Sequence, residues 1–196
     1  KGVTRMEVEQ MGRIMANFTH EVRNVLAVVR TSAGLMQDIQ QMGKKGLKFA
    51  DKAAKALEKI DKHSKRGVDL SGHANNFAHA GDKPESTFSP HDLADDAAWL
   101  MHRLASQKEV ELGSEATGPA PEVTHDRIRC FLAASFMVDA ILNTAPAGSS
   151  LALSGGDKGG KGMLKGVLTG SGLPAPEAMA GAMPEGYGAV LDELSI

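Results

Sequence analysis

The chain has 196 residues, of which 42% are apolar, with 22 basic against 24 acidic residues and a formal net charge of −2. That ordinary globular balance excludes a disordered chain and argues against a nucleic-acid binder that works by neutralising phosphates. No unbroken apolar run, residues 25–29 among them, exceeds five residues, too few to span a bilayer, so no membrane partner is expected for this stretch of chain. A single cysteine, Cys130, leaves no internal disulfide and fits a reducing compartment. With no charged-then-apolar leader visible at the amino end, the expected location is cytoplasmic. The sequence begins at Lys1 rather than at methionine, as a fragment of a longer protein would.

Residues 1–83 contain no proline, so long helices are confined to this part. Met11, Met15, Phe18, Val22, Val25, Val29, Ser32, Met36 and Ile39 alternate steps of four and three, which predicts a helix over residues 6–41 with a heptad seam. Gly43-Lys44-Lys45-Gly46 stops it. A second helix over residues 47–80 follows, with Ala50, Ala54, Leu57, Ile60, Ser64 and Ala74 on a weaker seam. The first seam is longer than one partner helix covers, so a second copy of the chain is the economical partner and a homodimeric four-helix bundle is expected. Residues 44–66 hold nine basic and three acidic residues. The run reads first as a solvated helix face and second as a docking surface for an acidic partner protein.

The polar stretch Gly81-Asp82-Lys83-Pro84-Glu85 divides the chain into an expected hairpin domain, 1–83, and a second domain, 84–196. The second domain reads as α+β. A helix over residues 91–104 is opened by Ser89-Pro90, a short strand covers 110–112, another helix covers 126–144, and strands at 150–154 and 163–168 alternate with glycine turns. This order predicts helices layered on one face of a small mixed sheet.

His20 stands two positions after the seam residue Phe18 and therefore points outward. Asn24, four residues on, lies on the same face, and Glu21 is adjacent in sequence. A neutral imidazole nitrogen attacks a phosphoryl group, and a carboxylate that accepts a hydrogen bond from the other ring N–H fixes its tautomer and raises its nucleophilicity. On composition alone, a histidine beside a glutamate on an exposed helix is an ordinary solvated pair.

The string Phe18-Thr19-His20-Glu21-Val22-Arg23-Asn24-Val25-Leu26 resembles the phosphoacceptor box of the sensor histidine kinase family, on the first helix of a bundle hairpin where that family carries it. The resemblance implies that His20 is phosphorylated, that Glu21 is the acid/base neighbour, and that Asn24 supports dephosphorylation of the partner. Val25 departs from the pattern, since the family usually has a proline there. Residues 93–112 and 126–153 look like the first half of the family's ATP-binding domain.

The nucleotide residues mostly fail to carry over. Where the family has two asparagines on this helix, Ser135 and Asp139-Ala140 stand, with Asp139 still a suitable magnesium ligand. Where it has an aspartate before Gly-x-Gly, Leu168 precedes Gly170-Ser171-Gly172. Only about a dozen residues separate Pro174 from Gly186-Tyr187-Gly188, so the family's lid is missing or vestigial. Read without the family, both Gly-x-Gly stretches are plain turns. His63, His73 and His79 form no metal-ligand pattern with Cys130, His102 is a surface or boundary residue, and Trp99 and Tyr187 are packing anchors.

Three readings follow. The first is a dimeric phosphorelay component in which His20 exchanges phosphate with a response regulator receiver domain, beside a degenerate domain that binds no cofactor. The second is a histidine autokinase with an atypical site in which Asp139, Gly170 and Gly172 hold ATP and magnesium. The third is a non-catalytic dimerisation and sensing module.

Overall fold

The structure, a computed structural model, describes residues 4–116, 122–157 and 162–173. The order of elements is α1 (Arg5–Gln41), a short 3-10 turn (Gly43–Phe49), α2 (Ala50–His79), β1 (Ser86–Phe88), α3 (Pro90–Gln107), β2 (Glu111–Ser114), β3 (Val123–His125), α4 (Arg127–Thr144), β4 (Ser150–Asp157) and β5 (Gly162–Thr169). A long helical hairpin followed by a small α+β layer is the expected fold class. No helix of the described residues is long and apolar enough to cross a membrane.

The secondary structure changes character near residue 83, but packing divides the chain elsewhere. One compact unit is Phe18–Gly72, and the other joins Lys1–Asn17 to His73–Ile196. The first turns of α1 and the last turns of α2 thus belong with the α+β part.

In the unit Phe18–Gly72, α1 and α2 run antiparallel. A Cβ at Gly67 would stand 3.1 Å from Val25 Cγ1, so glycine is what lets the helices approach there. The inward residues of α2 are Ala53, Ala56, Ile60, His63, Gly67 and Leu70, a regular alternation of three and four. This corrects the expected seam: Ala50, Ala54 and Ser64 are exposed and Leu57 is 53% exposed. The inward positions include a glycine and a histidine, which send no apolar signal, and alanines fit either face.

A similar correction applies to the start of α1. Gln10, Ile14 and Asn17 are buried while Met15 is 42% exposed, so the seam is rotated by one residue from Met11, Met15 and Phe18. The cause is polar. Gln10 Nε2 donates to Ser135 Oγ on α4 at 3.2 Å, an inward contact that an apolar periodicity cannot register.

In the other unit, β2 pairs parallel with β4, which pairs antiparallel with β5. Helix α3 packs on β2, β4 and α4, with Leu93, Ala97, Leu100 and Met101 buried. Its start follows the expected cap: Ser89 Oγ accepts from the His91 N–H at 3.1 Å, and Pro90 occupies the first turn. Asp126 caps α4 in the same way, accepting from Arg129 N at 3.1 Å. The antiparallel pair β1–β3, three residues each, is an addition to the expected elements.

Asp96 of α3 is 2% exposed and binds three groups. One oxygen meets His73 Nδ1 at 2.8 Å and accepts from Asn76 Nδ2 at 3.0 Å, both on α2; the other accepts from Arg127 Nη2 of α4 at 2.9 Å. The His73 ring stacks on Trp99, with centroids 5.1 Å apart.

Removing one partner of a buried ionic network leaves the others uncompensated, at a cost of roughly 3–5 kcal/mol. Asp96→Ala should lose that much in denaturant unfolding, while Asp95→Ala, at a half-exposed position, should lose under about 1 kcal/mol. Equal losses would refute the assignment. Cys130 is 1% exposed, and burial, helped by the negative charge of Asp126, pushes its thiol up to about 12. A neutral thiol then favours the folded state below the ordinary thiol range, an effect lost as pH rises towards about 12. A thiol reagent at neutral pH should therefore label Cys130 at the rate of unfolding; immediate labelling of the native protein would show the site open.

Candidate functional site

His20 lies on the third turn of α1 beyond Gln10, with its imidazole exposed to solvent. The position is set by the seam: Val25 is buried against α2, which leaves residue 20 on the outer flank. Glu21 is half-buried between the helices. Its Oε2 accepts from Arg66 Nη2 at 2.9 Å and its Oε1 from Asn24 Nδ2 at 3.4 Å. The carboxylate is thus fixed beside His20 by a cation from α2, instead of bonding the imidazole as the sequence suggests. Adjacent helical residues do not face each other, and Arg66 offers the stronger partner.

Three of the sequence-derived residues therefore share one patch: a solvent-facing imidazole, a carboxylate neutralised by a guanidinium, and an amide. Arg66 completes it and was not singled out as a site residue. The only hint is its place at the carboxyl end of the basic run, because its pairing with Glu21 spans 45 residues. Chemically, the patch presents a solvent-facing imidazole, a nucleophile when unprotonated, next to the Glu21–Arg66 ion pair.

The residues carried over as a nucleotide site are engaged differently. Asp139 gives both carboxylate oxygens to Arg13 of α1, at 2.6 and 2.9 Å, and the hydrogen bond and charge of Asp139 raise the Arg13 guanidinium above its ordinary value. Arg13 Nη1 also donates to Gln10 Oε1 at 3.3 Å. Ser135 is fully buried; its Oγ donates to the Leu132 carbonyl at 2.8 Å and accepts from Gln10. The amino-terminal turns of α1 thus occupy the polar face of α4, and both oxygens of Asp139 are engaged by Arg13. Nothing near residues 135 and 139 announces Gln10 and Arg13, which are 125 and 126 residues away.

Leu168 pairs with Leu151 in the β4–β5 ladder. Gly170 and Gly172 follow at φ +151° and +70°, and a Cβ at Gly170 would stand 3.0 Å from Ser149 Cβ. Both glycines are accounted for as a turn closing β5 onto the start of β4. Gly186-Tyr187-Gly188 lies outside the described residues. His102 is half-buried, a boundary residue.

No family model matches the sequence, and no curated protein matches it. Among solved structures, the chain is similar to a bacterial phosphotransferase, at 14% identity and a TM-score of 0.48 over 100% of this chain and 90% of that one. It is also similar to the Acinetobacter baumannii histidine kinase AdeS, at 14% identity and a TM-score of 0.39 over 78% of this chain and 82% of that one.

Proposed function

We propose that this protein is a phosphotransfer component of a His-to-Asp relay, working as a homodimer, in which His20 takes a phosphoryl group from the aspartyl phosphate of a receiver domain and can return it. The observation that carries the reading is the exposed imidazole of His20 beside a carboxylate clamped by Arg66. In the forward step an unprotonated ring nitrogen attacks phosphorus. The N–P bond forms as the acyl O–P bond breaks, and the partner's aspartate leaves as carboxylate. On this reading Glu21, shared with Arg66, offsets part of the positive charge that develops on the ring, and Asn24 orients a phosphoryl oxygen or a water.

On this reading residues 1–83 carry dimerisation and phosphate, and residues 84–196 form a scaffold that uses no nucleotide. Support for the second half comes from Asp139, whose two oxygens are both taken by Arg13, and from Leu168, which offers no acceptor to an adenine edge. Each hydrogen bond missing to a buried ligand group costs about 1–3 kcal/mol. Support for the dimer comes from one flank of the hairpin unit, where Val22 and Val29 are half-buried while Leu26, Leu57 and Val68 are 61%, 53% and 71% exposed. A second copy covers such a flank at the least cost.

Incubation with a phosphorylated receiver domain should place acid-labile, base-stable phosphate on His20, and His20→Gln should abolish it without altering the oligomer. Label that persists in His20→Gln, or that maps to His102, would show that another imidazole is the acceptor. Calorimetric titration with magnesium ATP should give no saturable binding at millimolar concentration; micromolar affinity, with label reaching His20 from ATP, would establish the autokinase reading instead. Sedimentation should give a dimer, weakened by Val22→Glu or Leu26→Glu, which put an unpaired charge in the contact. A monomer at micromolar concentration would refute the assembly.

A further inference from the structure

From Lys48 at the end of the 3-10 turn, Lys52, Lys55, Lys59, Lys62 and Arg66 of α2 follow one another at steps of four, three, four, three and four. At 1.5 Å per residue they form one row about 27 Å long, close to the diameter of a small domain. The five lysines are exposed, and none of them makes an ion pair among the described residues. Lys52 lies 5.2 Å over the Phe49 ring, and the neighbouring Lys65, which is off the row, is the one tied to an acid, Asp61. Cations three and four residues apart on a helix repel, so the row opposes the helix that carries it.

Helical geometry fixes which side of the hairpin unit the row occupies. At 100° per residue it lies about a quarter-turn from the inward seam of Ala56, Ile60, Gly67 and Leu70, while Leu57 and Val68 lie about as far on the other side. On α1, His20 and Asn24 flank the seam on one side, and Val22, Leu26 and Val29 flank it on the other. In an antiparallel pair like sides coincide, and the Arg66–Glu21 bond joins the end of the row to the residue beside His20. The unit therefore has an apolar side and a basic side, and His20 belongs to the basic side.

We infer that the lysine row is the docking surface for the phosphoryl-donating partner, and that this partner presents a complementary acidic face one small domain in length next to its phosphoaspartate. The inference rests on the phosphotransfer reading of His20. An acidic protein face fits better than nucleic acid: the row is a single file, its one aromatic neighbour, Phe49, stands at the end with none between Lys52 and Arg66, and the chain has a net charge of −2. The row steers association and selects among partners, while the chemistry stays with His20.

The test uses the full chain with Lys52, Lys55, Lys59 and Lys62 changed to Gln, and Lys65→Gln as an off-row control. Phosphoramidate, a small phosphodonor, should label His20 at the same rate in all three proteins. Transfer from an acidic, acetyl-phosphate-charged receiver domain should lose about tenfold or more in kcat/KM in the row variant. That loss should fall on KM, and the steep salt dependence of the unaltered protein should flatten; Lys65→Gln should behave like the unaltered protein. Labelling by the receiver at equal kcat/KM in all three would overturn the docking surface and leave the phosphotransfer reading intact. Failure of both donors to label His20 would bring down the phosphotransfer reading and the inference with it. Tight duplex DNA binding that the row variant loses would assign the row to nucleic acid and overturn the inference.

Discussion

A carboxylate sealed from water among apolar side chains is tolerable only if its charge is matched, and Asp96 is matched by groups drawn from two other helices. His73 and Asn76 hold one oxygen from the end of α2, and Arg127 holds the other from the first turn of α4. Because the group is acceptor-only and its donors come from separate stretches of chain, it ties together segments that hydrophobic contact alone would leave free to slide. The carboxyl end of the long hairpin is thereby folded into the same compact unit as the α+β layer, and the packing boundary falls at residue 73 instead of at the proline-marked turn.

The amino-terminal end of the hairpin reaches that unit by a second polar route. Gln10 and Arg13 turn toward Ser135 and Asp139, so the charged edge of α4 is neutralised by a residue of the same chain. A carboxylate that already accepts two charge-assisted bonds from one guanidinium has little left for a hard cation, which would have to displace Arg13 first. The two polar anchors bring the first turns of α1 and the last turns of α2 into the same compact unit as α3 and α4.

What the sequence made legible was local. Ser89-Pro90 at the start of α3, the glycine-bounded strands β4 and β5, and the length of α1 all rest on residues within a few positions of one another. The patch around His20 was legible for the same reason, since Glu21 and Asn24 lie within one turn of it. Partners across the fold were not: Arg66 for Glu21, Arg13 for Asp139, and Arg127 for Asp96 become neighbours only after the chain has turned back on itself. The seams were misplaced where inward positions are small or polar, as at Gly67, His63, Gln10 and Asn17, because apolar periodicity weighs side-chain type and these residues are buried for fit and bonding. The three-residue strands β1 and β3 were too short to carry a period at all.

The thin seam of α2 bears on how the molecule opens. Between Ala53 and Leu70 the inward side chains include two alanines and a glycine, so each turn removes little hydrocarbon from water, and the close approach at Gly67 trades side-chain volume for backbone proximity. The layer around Phe131, Leu151 and Leu153 is packed far more heavily. Backbone amides of α2 between Ala53 and Leu70 are therefore expected to exchange faster than those of α4, since local opening there exposes less hydrocarbon to water.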